Sequence, residues 1–78
     1  MGLAEDMRLL FEKYYQLEYG EDVVAVISSA EPGDYQNNPT IDEYTQKGYK
    51  LIDANMFGTV GTESERGEIL VFKPSHDK

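Results

Sequence analysis

Leu3, Met7, Leu10, Tyr14 and Leu17 recur at a 4-3-4-3 spacing. An α-helix turns once in about 3.6 residues, so these positions share one stripe and predict an amphipathic helix over residues 3–19. Ala4 and Phe11 widen the stripe, and Glu5, Glu12, Lys13 and Gln16 take the other side. Glu5 and Asp6 suit the positive end of the helix dipole, and Gly20 is placed to end the helix. A stripe of this kind needs a cover, and packing onto a sheet is the expected one. The same spacing describes a coiled-coil seam, so pairing with a second copy of the chain is the alternative.

The rest of the chain supplies the sheet. Residues 23–28, Val-Val-Ala-Val-Ile-Ser, predict a strand whose near-continuous apolar character suits either cover on both faces or a central position. Residues 29–39 carry turn chemistry at Pro32-Gly33-Asp34 and read as a loop. Thr40-Ile41-Asp42-Glu43 matches a capping box and starts a short helix over 41–47, with Ile41 and Tyr44 facing inward and Gly48 as its stop. Tyr49–Phe57 predicts a second strand, with Ile52, Ala54 and Met56 on one face and Leu51 and Phe57 on the other. Residues 58–67, with three glycines, read as a polar turn, and Glu68–Lys73 as the last strand, which Pro74 ends. The expected fold is α+β in the order α-β-α-β-β. A three-stranded sheet ending in a hairpin would pack against both helices, as one domain over 1–74 with a flexible tail over 75–78.

Composition limits the function. There is no Cys in the 78 residues, which removes disulfides, thiolate metal sites and a cysteine nucleophile. No apolar run approaches the roughly 20 residues of a membrane span, and the acidic start is unlike a signal peptide, so a cytoplasmic protein is the simplest reading. Residues 1–46 hold ten acids and two bases, whereas residues 47–78 hold five of each, so the whole net charge of −8 lies in the first part. A surface of that sign repels nucleic acid and anionic lipid and attracts a basic protein surface. The plain alternative is solubility, which a charge of this size also provides.

The reactive side chains do not assemble into a catalytic pattern. The single His, His76, sits beside Asp77 and Lys78 in the tail, where nothing would hold it for proton transfer. Glu63, Glu65 and Glu68, or Glu31 and Asp34, lack the alternation of a calcium loop. Gly58-Thr59-Val60-Gly61-Thr62 lacks the Lys and following helix of a phosphate loop. The expectation is a protein that is not an enzyme and has no cofactor or metal.

Recognition is the remaining reading. Six Tyr in a chain without Trp is a heavy load, and Tyr is favoured at binding hot spots for its area and polar tip. Tyr15, Tyr19 and Tyr35 are interleaved with Glu12, Glu18, Glu21, Asp22, Glu31 and Asp34. Those nine residues are the candidate partner-binding set, the carboxylates pairing with Arg or Lys and the rings anchoring. In shortness, acidity, lack of Cys and lack of a catalytic constellation, the chain resembles the small acidic proteins with which bacteriophages disable host enzymes or defence systems, anti-CRISPR proteins among them. The resemblance implies an inhibitor whose carboxylates stand where nucleic-acid phosphates would lie on a nuclease or another nucleic-acid-handling protein. It carries no motif and assigns no residue, and the charge-balanced second part departs from it, leaving one face at most for mimicry.

Overall fold

The computed structural model describes residues 3–31, 33–59 and 62–75. The elements follow the expected order: α1 (Leu3–Tyr19), β1 (Val24–Ile27), α2 (Pro39–Gln46), β2 (Tyr49–Thr59) and β3 (Thr62–Pro74). The sheet order is β1-β3-β2, with β3 antiparallel to both neighbours. β1 and β2 therefore run parallel to each other with β3 between them, a split β-α-β arrangement. The central strand is β3, whose Ile69, Leu70, Val71 and Phe72 are fully buried. The expectation that Val23–Ser28 is central is corrected: β1 is a four-residue edge strand. Apolarity on successive residues reports that both faces of a strand are covered, and says nothing of whether both edges are paired.

The first helix spans the predicted residues but is turned away from the predicted face. Tyr15 is buried, and Phe11 packs beside it against Val23, Val71 and Ile52. Leu10, Tyr14 and Leu17 are 66%, 56% and 84% exposed, so at these three positions the stripe faces outward, with Met7 half-buried. The cause is the free edge of β1. Ala25 donates its amide to Glu12 Oε2 at 3.0 Å and accepts from Arg8 Nη1 at 2.9 Å. Val23 accepts from Gln16 Nε2 at 3.0 Å. Arg8, Glu12 and Gln16 stand one turn apart and form a polar row that closes the edge. Each edge group left dry and unpaired would cost about 1–3 kcal/mol, which matches the roughly 1.5–3 kcal/mol from burying one Leu. Phe11 and Tyr15 supply apolar cover on the same side, so this rotation secures both terms at once.

The second helix begins two residues earlier than the capping box implies. Asn38 is the N-cap and accepts from the amides of Thr40 and Ile41, with Pro39 in the first turn, where its missing N–H costs nothing. Thr40, expected as the cap, is buried, and its hydroxyl meets Ser29. Asn38 outcompetes it because its amide also donates to Ser28 Oγ and the Asp34 carbonyl, tying the 28–38 loop to the helix. Tyr44 stacks on Phe72 with ring centroids 4.7 Å apart, so α2 covers the face of the sheet opposite α1. Gly48, at φ +94°, makes the reversal into β2 that a side chain would strain.

The hairpin is longer than expected, since β2 runs to Thr59 and β3 starts at Thr62, where the sequence suggests a turn over 58–67. A register shift between Leu51 and Asp53 makes Ile52 the extra residue of a bulge. Side-chain alternation slips there. Ile52 and Asp53 both turn toward α1, and Met56, expected on the face of Ile52, is on the opposite side and 71% exposed. At Gly67 a Cβ would stand within 2.8 Å of the Phe57 ring, so a larger residue would have to push that ring aside. Ser75 donates its amide to the Gly48 carbonyl, while residues 76–78, including His76 and the rest of the expected tail, lie outside the described residues.

Candidate functional site

The nine candidate residues fall into three groups. Glu18, Tyr19, Glu21 and Asp22 gather at the C-terminal end of α1 and in the turn to β1. Gly20, at φ +126°, ends the helix and donates its amide to the Gln16 carbonyl, and Val23 closes the turn by donating to the Gly20 carbonyl. The Tyr19 ring is 54% exposed and lies nearly parallel to the buried Tyr15 ring, at 6.0 Å and 16°. Tyr15 therefore acts as a fixed platform for an outward aromatic surface, and Tyr14 meets it edge-on at 5.2 Å. Glu18 and Glu21 are exposed. Asp22 receives Lys73 Nζ at 3.2 Å, and the same ammonium donates to the Tyr19 carbonyl at 3.0 Å.

This end of the helix breaks a local rule. The C-terminus of a helix carries partial negative charge and prefers Lys or Arg nearby, yet the last turn of α1 holds no base. Three carboxylates surround it instead, and Lys73, reaching across from β3, offsets part of the charge. A local conflict of this sort costs stability.

The second group lies at the other end of β1. Glu31 is exposed, and Asp34 folds its own loop, accepting the Asn37 amide at 3.3 Å. The Tyr35 hydroxyl donates to Glu68 Oε2 at 2.5 Å, and the Gly33 amide donates to Glu68 Oε1 at 3.0 Å. Glu68 is buried, so the loop is fastened to a carboxylate inside the protein. The bond to Glu68 holds the Tyr35 phenol above its ordinary pKa. An open cleft of about 600 Å³ lies on this loop, lined by Gly33, Asp34, Tyr35 and Gln36. Glu68 and Lys73 are five residues apart on extended β3, so the two acidic groups are separated by roughly 16 Å.

Glu12 and Tyr15 form the third group, and both are committed inside the molecule. Glu12 bonds the Ala25 amide and pairs with Arg8. Tyr15, expected among the rings that anchor a partner, is instead buried in the core. Its hydroxyl donates to the Asp53 carboxylate and accepts from Asn55 Nδ2 at 3.0 Å. Burial, with Asp53 beside it, pushes the Tyr15 phenol up. Asp53, Asn55 and Glu68 are thus functional for the fold in ways the linear sequence hides. The one signal for Glu68 is its position at the head of an apolar strand.

Among the described residues, no group of three or more His, Asp or Glu is placed to hold a metal ion, and no helix is long and apolar enough to cross a membrane. Compared with protein-family models, with curated proteins and with solved structures, the chain matches none.

Proposed function

We propose that this protein is a non-enzymatic acidic binding module that regulates or inhibits a protein partner by occupying a basic surface of the kind that holds nucleic acid. The observation that carries this reading is the C-terminal end of α1, where Glu18, Glu21 and the exposed Tyr19 ring stand on the buried Tyr15 platform beside Asp22. Carboxylates there would pair with Arg or Lys, and the Tyr19 ring would lie against a guanidinium plane. The helix terminus, which Lys73 compensates only in part, adds to the field that draws a cationic surface in. The loop bearing Glu31, Asp34 and Tyr35 stands apart and would serve as a second, independent contact.

Association with an arginine-rich peptide, followed by stopped flow at two salt concentrations, tests the reading. The paired change Glu18→Gln with Glu21→Gln should slow association several-fold and flatten its salt dependence. The paired change Asp42→Asn with Glu43→Gln, which removes the same charge from α2, should do neither. Equal effects from both pairs would mean that net charge alone drives binding, and the proposed surface would be wrong.

A further inference from the structure

We infer that the outward stripe of α1 is a dimer seam, and that a second copy of this chain pairs with it in parallel. The inference rests on the helix rotation and shares only Glu18 with the acidic surface proposed above. Leu9, Leu10, Tyr14 and Leu17 are 48%, 66%, 56% and 84% exposed, although α1 is held by the core through Phe11 and Tyr15 on its other side. A helix with its apolar stripe facing solvent and its polar row facing the sheet is inverted relative to an ordinary surface helix. Leu10, Tyr14 and Leu17 share the stripe and Leu9 flanks it, an exposed apolar patch of the kind that marks an interaction site.

The spacing on this face selects the occupant. Written as heptads, Leu3, Leu10 and Leu17 take the d positions, and Met7 and Tyr14 take the a positions. Leu at every d position is the preference of parallel two-stranded coiled coils. The positions that flank the seam agree. Lys13 falls at g and Glu18 at e in the next heptad, the pair that meets across a parallel interface, and both are exposed. The two-fold axis makes that ion pair twice. An antiparallel pair that keeps Leu17 in the seam would layer it on Met7 and set Lys13 against Lys13 of the second copy. Two heptads do not associate as free peptides, but here the helix is already folded by its domain, so the cost of nucleating it is met before pairing.

Area and charge set the strength. Two such patches bury less than the roughly 1,200 Å² of a stable interface, so the dimer is weak and reversible. Each copy carries a net charge of −8, so the two copies repel at long range. Salt screens that repulsion more than it screens the contacts in the seam. Dimerisation therefore strengthens with salt, whereas binding of a basic partner weakens with it.

Sedimentation of the full chain across about 2–500 µM tests the inference at low and moderate salt. The expected mass rises from 8.9 kDa toward twice that value, more steeply at the higher salt. Leu10→Ser with Leu17→Ser should hold the protein monomeric with unchanged circular dichroism, because both side chains are exposed. Lys13→Glu should weaken pairing several-fold, and adding Glu18→Lys should restore it. Since the chain has no Cys, Leu17→Cys also reports orientation, cross-linking on oxidation only when the helices are parallel. A monomer at every concentration overturns the inference, as does a dimer indifferent to the Leu10/Leu17 changes. A dimer that Lys13→Glu strengthens and that Leu17→Cys fails to cross-link overturns the parallel arrangement.

Discussion

Exchanging the roles of Leu17 and Tyr15 is the most direct test of how α1 lies on the sheet. Leu17 retains 84% of its exposure, so about a sixth of it has left water. Full burial of Leu contributes about 1.5–3 kcal/mol, so Leu17→Ala should cost about 0.3–0.5 kcal/mol, and the better helix propensity of Ala offsets part of that. Tyr15 is 7% exposed, anchors Phe11, Val23, Val71 and Ile52, and bonds Asp53 and Asn55. Truncating a buried aromatic ring costs about 3–5 kcal/mol. A chain of 78 residues has a total stability of about 4–12 kcal/mol, so Tyr15→Ala should leave much of the protein unfolded. Tyr15→Phe keeps the ring and loses the hydroxyl, for about 1–2 kcal/mol. Urea unfolding followed by far-ultraviolet circular dichroism at low micromolar concentration, below the dimer range, measures all three. The reasoning is refuted if Leu17→Ala costs 2 kcal/mol or more while Tyr15→Phe is neutral, because the helix would then present its 4-3-4-3 stripe to the sheet.

Two further predictions concern the side chains that close the structure. Glu12→Ala removes the acceptor of the Ala25 amide and a partner of Arg8, and should cost about 1–3 kcal/mol; Glu12→Gln, which keeps an acceptor, should cost less, and hydrogen exchange at Ala25 should quicken in the first variant more than in the second. Tyr15 and Tyr35 both have phenols raised above the ordinary value of 10.0, so their contribution to stability is fully present below that pH and is lost as pH rises through the folded-state values. Ultraviolet titration should show a late phase, and Tyr15→Phe or Tyr35→Phe should each remove part of it; a late phase untouched by both changes would contradict the assigned hydrogen bonds.

Read in chain order, the residues disclose local structure. The helix over 3–19, the short second helix, the order of elements and the final apolar strand were legible, because periodicity, Gly20 and Gly48 act within a few residues of chain. The proposed carboxylates Glu18 and Glu21 were also within its reach, since exposed acids beside a helix end keep their places however the helix is turned. Tertiary structure alone decided the rotation of α1, the central place of β3, the cap at Asn38 over Thr40 and the burial of Glu68. Each of these depends on backbone or side-chain polar groups brought together from distant segments: Ala25 against Glu12, Asn38 against Ser28 and Asp34, Glu68 against Gly33 and Tyr35. An apolar stripe says that a helix has two sides. Which side turns inward is settled by where the sheet leaves hydrogen bonds to be made.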